Sequence, residues 1–504
     1  MSFHVTIRSA HRQVETTAEE GDLILTVLRH EGFAVTAICG GRGACGKCTV
    51  TLITGEKKRR VLACRNRITA DCTILTEEIR GGAILYDAVA DVSKDSGNKD
   101  LAAAMDLGTT TVVVELIGLS DGSRKGAVAE WNAQAPYGAD VISRAQYCAE
   151  HADGPLILKR VIRKQTDELL ERLGTKRSEL KRLFIAGNTI MQHIYAGLDP
   201  LPIARAPFTP QAYFIGDEPQ EQGISYAPCV AGYVGGDITA GLMASGLYKR
   251  KECSLYLDIG TNGEMALGGD DGFLCCAVAS GPAFEGAGIT CGMPATVGAI
   301  CHVFRNEDGI GYEVIGGGFA KGICGSGLID LLGMLCQARV VSGTGRLLGP
   351  DEAPEEFSGY LGGDENGNGI FYLTEDRSVF LTASDVRQLQ LAKAAVAAGI
   401  QVLLKKSGLR ADNLDRLYLA GGFGNYMDPG SAAKIGMLPE ELTSRIVLMG
   451  NASLMGARMA LTEPDAEKRL LELRNSCRYI ELSGDADFNE EYVEQMFFYE
   501  EDDE

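Results

Sequence analysis

The sequence predicts a small α+β domain followed by a large, two-lobed α/β unit, and three observations carry that expectation. A cysteine- and glycine-rich stretch, "CGGRGACGKC" (residues 39–48), sits among short alternating segments within the first 80 residues. An Asp-x-Gly-Thr frame occurs twice, beginning at Asp106 and Asp258, each time where an apolar strand pattern ends. Between and after these turns, short apolar runs alternate with long helical patterns such as "SDVRQLQLAKAAVAAGIQVLLKKSG". At 504 residues the chain exceeds one ordinary core, so two to four domains are expected.

Taken in order, "FHVTIRS" and "RQVETT" alternate like a hairpin, "LILTVLRHEG" reads as a helix ending at Gly32, and "KCTVTLITGE" returns to strand. "VLACRN" and "CTILTEEI" supply late short segments. Residues 81–100 lose periodicity and gain turn formers, which predicts a linker between a domain at 1–80 and one at 101–504. Within the latter, "LAAAMD" runs into Gly-Thr-Thr and out through "TVVVELIGL", and "LYLD" runs into Gly-Thr-Asn and out through "EMALGG". This repeated strand–turn–strand predicts two related lobes, at roughly 101–250 and 251–504, around a cleft.

The formal net charge of −20 argues against nucleic-acid binding, which needs Lys and Arg in excess. No run of about 18 apolar residues predicts a membrane span, and the N-terminus lacks a signal-peptide core, so a cytoplasmic protein is expected. The acidic stretch at 485–504 reads as a solvated terminus, and "GEKKRR" (residues 55–60) as a charged hairpin tip or a docking patch for an acidic electron carrier.

Fifteen cysteines are many where stable disulfides are rare. Ten of them, including Cys301 and Cys324, are scattered and read as small buried hydrophobes. Cys39, Cys45, Cys48 and Cys64 instead cluster with intervals of five, two and fifteen residues, with Cys72 just outside. Zinc sites usually come as two separated Cys pairs, and a phosphate loop would continue into Gly-Lys-Ser/Thr. Three cysteines in one loop and a fourth later favour a two-iron cluster over zinc or free thiols, although the plant-type first gap is four residues. Glycines suit such a loop by giving positive φ and N–H groups turned toward sulfide. The stretch resembles ferredoxin domains over residues 1–80, and its five-residue first gap is similar to adrenodoxin-type members. The resemblance implies a 2Fe-2S cluster on these four cysteines.

Asp-x-Gly-Thr turns present backbone N–H groups and hydroxyls to phosphate, while a nearby Asp can hold Mg²⁺ through water. Gly421, Gly422 and Gly424 in "YLAGGFGNY" follow a further strand pattern, where absent side chains would let an adenosine lie against the backbone. The set resembles the nucleotide-binding fold of acetate and sugar kinases, Hsp70 chaperones and actin. That resemblance implies ATP with Mg²⁺. Asp106, Gly108, Thr109 and Thr110 would form the first phosphate motif, and Asp258, Gly260, Thr261 and Asn262 the second. Asp106 and Asp258 would serve Mg²⁺, and Asp237 would polarise the attacking water. Asn188 or Thr189 could face the cleft, Glu285 could touch ribose, and Gly325 could open a helix toward phosphate or serve only packing.

The fusion, with "DLGTTT", "YGADVISR", "AGNTIM", "DIGTNGE", "ASGPAFEGAG", "GICGSG", "AGGFGNY" and "YIELSGDADFNEEYVEQM", resembles reductive activators of corrinoid-dependent enzymes. The resemblance implies ATP-dependent return of cob(II)alamin to cob(I)alamin on the corrinoid protein of a methyltransferase system. It also implies a low-potential donor such as a ferredoxin or flavodoxin, and a homodimer. Longer members carry more material between the two parts, whereas about 20 flexible residues here span roughly 25 Å r.m.s.. An ATP-driven activator of a non-corrinoid enzyme and a small-molecule kinase with a fused ferredoxin domain are the alternatives.

Overall fold

The computed structural model describes residues 2–9, 13–31, 33, 48–55, 57–76, 100–218, 221–306, 309–365, 367–421 and 427–498. Cys39, Cys45, Gly422, Gly424 and all but the last residue of the expected linker lie outside the described residues.

The N-terminal part is a β-grasp. Its sheet runs in the order Gln13–Glu19, Ser2–Arg8, Cys72–Leu75, Thr49–Thr54, Lys57–Leu62. The first two strands form the expected antiparallel hairpin, and Cys72–Leu75 lies parallel to Ser2–Arg8. The Ile24–His30 helix buries Ile24, Val27 and Leu28 on Val5, Ile7, Val50 and Ile74, one apolar stripe on one apolar sheet face. The basic run at 57–60 is not merely a tip: it forms most of the edge strand Lys57–Leu62, and its side chains are exposed. Charges on an outer strand also discourage edge-to-edge pairing.

The rest of the chain carries one topology twice. In the first lobe Leu101–Leu107 turns back antiparallel into Thr111–Gly118 and lies parallel to Leu180–Gly187. In the second, Ser254–Ile259 turns back into Gly263–Gly269 and lies parallel to Leu417–Ala420. Both central strands are almost wholly buried because helices cover both faces. Leu158 and Ile162 of Gly154–Arg172 cover the outer face of the first sheet, and Val396 and Ile400 of Ala383–Ser407 that of the second. Thr382 and Asp385 start the latter helix with a reciprocal capping box. Among the described residues no helix is long and apolar enough to cross a membrane.

Two helices, Gly236–Ser245 and Ala452–Thr462, fill the space between the sheets. Their Ile238, Ala240 and Ala457 share one buried cluster with Ala104 and Phe184 of the first sheet and Tyr256 and Tyr418 of the second. They cross closely because Gly456 has no side chain, and a Cβ there would stand 2.1 Å from the Ala240 carbonyl oxygen. No rotamer change relieves a clash with backbone. Gly456→Ala should therefore destabilise the two-lobed unit by about 1–3 kcal/mol despite the better helix propensity of Ala. Calorimetry of the full chain should show its transition at lower temperature, with the iron–sulfur absorbance unchanged.

Candidate functional site

The two duplicated turns meet at one cleft of about 240 Å³, with helix starts and the Leu417–Ala420 strand end around them. In the first turn, each carbonyl is tied back into its own lobe. Gly108 O accepts from Asn132 Nδ2 at 2.8 Å, Thr109 O from Arg144 Nη2 at 2.6 Å, and Thr110 O from Asn132 N at 2.8 Å. Across a planar trans peptide, C=O and the following N–H point opposite ways, so these ties leave the N–H edges facing away from Asn132 and Arg144. Arg144 is fully buried, and burial pushes its guanidinium down to about 9, still a cation at neutral pH. The turn tolerates no side chain at Gly108, where a Cβ would stand 2.4 Å from Thr111 O.

The second turn is held differently. Gly260 N donates to Asn262 O at 2.8 Å, and Ser280 Oγ donates toward the Gly260 and Thr261 carbonyls at 3.3 Å each. Between the turns lies Glu285. Thr110 Oγ1 donates to its two oxygens at 3.3 and 3.1 Å, and Thr261 Oγ1 donates to Oε2 at 3.0 Å. The residue expected at ribose is thus placed as a carboxylate bridge between the two threonines. Gly421 sits at φ +93° against the second turn, where a Cβ would meet Ile259 O at 2.5 Å and Asp258 Oδ1 at 2.7 Å. Gly325 begins the Gly325–Gln337 helix, whose first turn has no side-chain cap and borders the cleft.

Asp106, Asp237 and Asp258 all line this cleft, as do Thr109, Asn262 and Asn188. Asn188 Nδ2 donates to Thr109 Oγ1 at 3.0 Å, whereas Thr189 turns away to Ala231 O. Sequence reasoning missed Asn451 and Ser453, which donate to Asp106 Oδ2 at 2.8 Å and Oδ1 at 3.0 Å. Asn451 also caps the Ala452–Thr462 helix, so an N-cap signal was available, but not its partner 345 residues away. A wider hollow of about 420 Å³ at Lys251, Asp270 and Arg478 has neither phosphate-type turn.

Charge in the cleft is one-sided. Burial pushes the Asp106 carboxyl up to about 6, with Asn451 and Ser453 pulling the other way. Burial, then the nearness of Asp237 and Asp106, pushes Asp258 up to about 8. Asp237 is raised by burial and then by Asp106, Glu264 by burial and then by Asp237 and Asp258, and Glu285 by burial. Among the described residues no Lys or Arg lines the cleft. The donor set suits a hard divalent cation. No three of these acids bring oxygens within 4.8 Å of one another, so such an ion would be held largely through water, the habit of Mg²⁺.

In the β-grasp domain, Cys48 and Cys64 are buried with their sulfurs 3.2 Å apart, too far for a disulfide and close enough to share one metal ion. These two thiols fit an iron–sulfur cluster; Cys39 and Cys45 are outside the described residues. Of the scattered cysteines, Cys148, Cys229, Cys275, Cys276, Cys324 and Cys336 are buried as expected. Cys253, Cys291, Cys301 and Cys477 are only partly so.

A β-grasp with paired buried thiols, ahead of two lobes that close phosphate-type turns on an acidic cleft, defines a ferredoxin domain joined to an ATPase-type fold. The chain belongs to the RACo family. The family profile described as the C-terminal domain of RACo, the ASKHA domain, matches residues 252–504. The RACo middle region matches 101–250, and the 2Fe-2S iron–sulfur cluster binding domain matches 7–69. The corrinoid activation enzyme RamQ of Eubacterium limosum is 32% identical over 418 residues, 78% of this chain and 70% of that one. A reductase of the Co(II) methylated amine-specific corrinoid protein from Methanosarcina barkeri is 26% identical over 296 residues, 54% of this chain and about half (51%) of its own. The solved structure of a reductive activator for corrinoid, iron–sulfur protein shares 29% identity and a TM-score of 0.71 over 98% of both chains.

The raised carboxyls give a signed pH dependence. Each favours the folded state while protonated, an advantage complete below its unfolded pKa near 3.8 and lost as pH rises through the folded value. Without nucleotide and with chelator present, unfolding midpoints should therefore fall from about pH 4 to about pH 8. Asp258→Asn should flatten that fall by up to about 1.4 kcal/mol per pH unit below pH 8, leaving the variant more stable than the parent at pH 8. Equal slopes for the two proteins would sink this reading.

Proposed function

We propose that the protein is an ATP-dependent reductive activator. It passes a low-potential electron from its 2Fe-2S cluster to the corrinoid protein of a methyltransferase system, restoring cob(II)alamin to cob(I)alamin. The observation that carries this reading is the pairing of two phosphate-type turns across one acidic cleft, in a chain that also buries two thiols 3.2 Å apart. The relatives described above support the corrinoid side of it.

In this reading Cys39, Cys45, Cys48 and Cys64 hold the cluster, which supplies single electrons when bound. The N–H edges at Thr109, Thr110 and Thr261 take the phosphates. Asp106 and Asp258 hold Mg²⁺ through water, and Asp237 orients the attacking water. Gly421, with Gly422 and Gly424, leaves room for adenosine, and Gly325 turns a helix N-terminus toward phosphate. Glu285 gives up its threonine hydroxyls when phosphate arrives. ATP is needed because the electron travels uphill: for one electron about 59 mV is a factor of ten, so a gap of about 300 mV is roughly 7 kcal/mol. Closure of the lobes around nucleotide changes how the corrinoid partner is gripped. The reading includes a ferredoxin or flavodoxin as donor, a homodimer, cytoplasmic residence, and the division into 1–80, a linker at 81–100, and 101–504.

Trp131, the only tryptophan of the chain, lines the cleft, so MgATP binding should change its fluorescence. The deciding measurement is anaerobic electron paramagnetic resonance of a cob(II)alamin-loaded corrinoid protein from the same host, mixed with this protein and a low-potential reductant. Loss of the Co(II) signal should require MgATP. It should be slowed at least about 100-fold by Asp258→Ala and abolished by Cys48→Ser. A two-iron signal with no cobalt change across the host's corrinoid proteins would move the target to another low-potential enzyme. Phosphorylation of an added acid or sugar would make the protein a kinase.

A further inference from the structure

Away from the cleft, among the described residues, one group of side chains has the make-up of a metal site: Cys301, His302 and Glu313. Cys301 and His302 are neighbours on the strand Ala299–Asn306, and Glu313 belongs to the antiparallel strand Gly309–Val314. In a regular strand, adjacent side chains leave on opposite faces and cannot converge on one ion. Here the register slips. Ile300 pairs with Val314 and His302 with Glu313, so Cys301 is the extra residue of a β-bulge. Bulges re-aim side chains, and this one brings the thiol round to the residues beside it. Cys301 Sγ reaches the Glu313 carbonyl oxygen at 3.5 Å, and one ligand atom from each of the three side chains lies within 4.8 Å of the others.

The imidazole is already oriented. His302 Nδ1 lies 3.0 Å from Oδ2 of Asp330, which is 5% exposed on the Gly325–Gln337 helix. A carboxylate behind one ring nitrogen fixes the tautomer and leaves Nε2 as the free donor, the arrangement that supports metal-bound histidines. Cys301 and His302 are half-buried and Glu313 is exposed, so an ion can enter from solvent.

We propose that Cys301, His302 and Glu313 form a zinc-binding site on the second lobe, with Asp330 positioning His302 from behind. One thiolate, one imidazole and one carboxylate form a mixed set that suits Zn²⁺, and they offer too few oxygens for Ca²⁺ or Mg²⁺. Three protein ligands leave a fourth position for water or an outside ligand. The site adjoins the nucleotide cleft through shared backbone: Ser326, which lines the cleft, donates Oγ to the Cys301 carbonyl at 2.8 Å. It does not depend on the function proposed above, because its test reads bound metal.

The test uses the full chain with its cluster assembled anaerobically and loosely held metal removed, titrated with Co²⁺ as the spectroscopic stand-in for Zn²⁺. One Co²⁺ per chain should bind with a thiolate-to-cobalt charge-transfer band and ligand-field bands of low-symmetry four-coordination, and Zn²⁺ should displace it with iron content unchanged. Cys301→Ser should remove the charge-transfer band, and it and His302→Gln should each weaken binding by at least about 100-fold. Glu313→Gln, on an exposed side chain that leaves the fold intact, should weaken it by about 10-fold. Cobalt affinity within twofold of the parent in all three variants, or no saturable cobalt or zinc binding by the parent, would overturn the proposal.

Discussion

A cleft that gathers acids without bases is the constraint around which the two-lobed unit is arranged. Asp106 and Asp258 end the central strands of the two sheets, and Asp237 stands in the first turn of the helix between them. Duplicated topology therefore forces like charges together: superposing two strand–turn–strand units about one cleft brings both terminal aspartates to it. Desolvation raises each carboxyl, repulsion adds to it at Asp237 and Asp258, and only protonation or a cation relieves the cost. The fold spends its polar resources accordingly. Asn451 and Ser453 are both directed at Asp106, and Asp237 Oδ1 accepts from its neighbour Ile238 N at 2.9 Å.

Equivalent turns need not be held by equivalent residues. The first relies on long-range donors, Asn132 and the buried Arg144, to draw its carbonyls inward. The second relies on a local N–H bond and one hydroxyl, Ser280. A fully buried guanidinium is costly unless its donors are used. Arg144 uses them on Gly138 O, Thr109 O, Gln134 Oε1 and the Met191 sulfur. The first turn is thereby clamped to the Val141–Glu150 helix, while the second rests on its own strand end.

What could be read from the sequence was what repeats locally. Alternation disclosed the N-terminal hairpin, and the twin Asp-x-Gly-Thr frames disclosed the duplicated strand–turn–strand, because period and turn chemistry act over a few residues. The task of Arg144 is not visible in the sequence, since a basic residue in a helical pattern ordinarily points to water and its partner Thr109 is 35 positions away. Glu285 lies within a glycine-rich stretch that suggests ribose contact, and its bonds to threonines of both lobes are not visible in sequence. The run at 57–60 read as a tip because basic residues favour loops, yet its pairing with Thr51–Thr54 makes it an edge strand. Cys301 read as a small hydrophobe, because a bulge leaves no trace in a single sequence: it depends on which residue of the partner strand is skipped.

The cleft also makes opposite demands on a ligand. Its turns offer N–H edges and threonine hydroxyls, which want an anion. Its floor offers raised carboxyls, which want a cation. A free phosphate would satisfy the first set and repel the second, and a free divalent ion would do the reverse. Glu285 meets the hydroxyl demand from within, at the cost of one more buried acid. In the function proposed above, a nucleotide carrying its own Mg²⁺ would meet both demands at once and would free Glu285 from Thr110 and Thr261. Because those two threonines belong to different lobes, replacing their shared carboxylate by a shared phosphate would change what joins the lobes. Nucleotide binding would thus be tied to the relation between lobes through a single pair of hydroxyls.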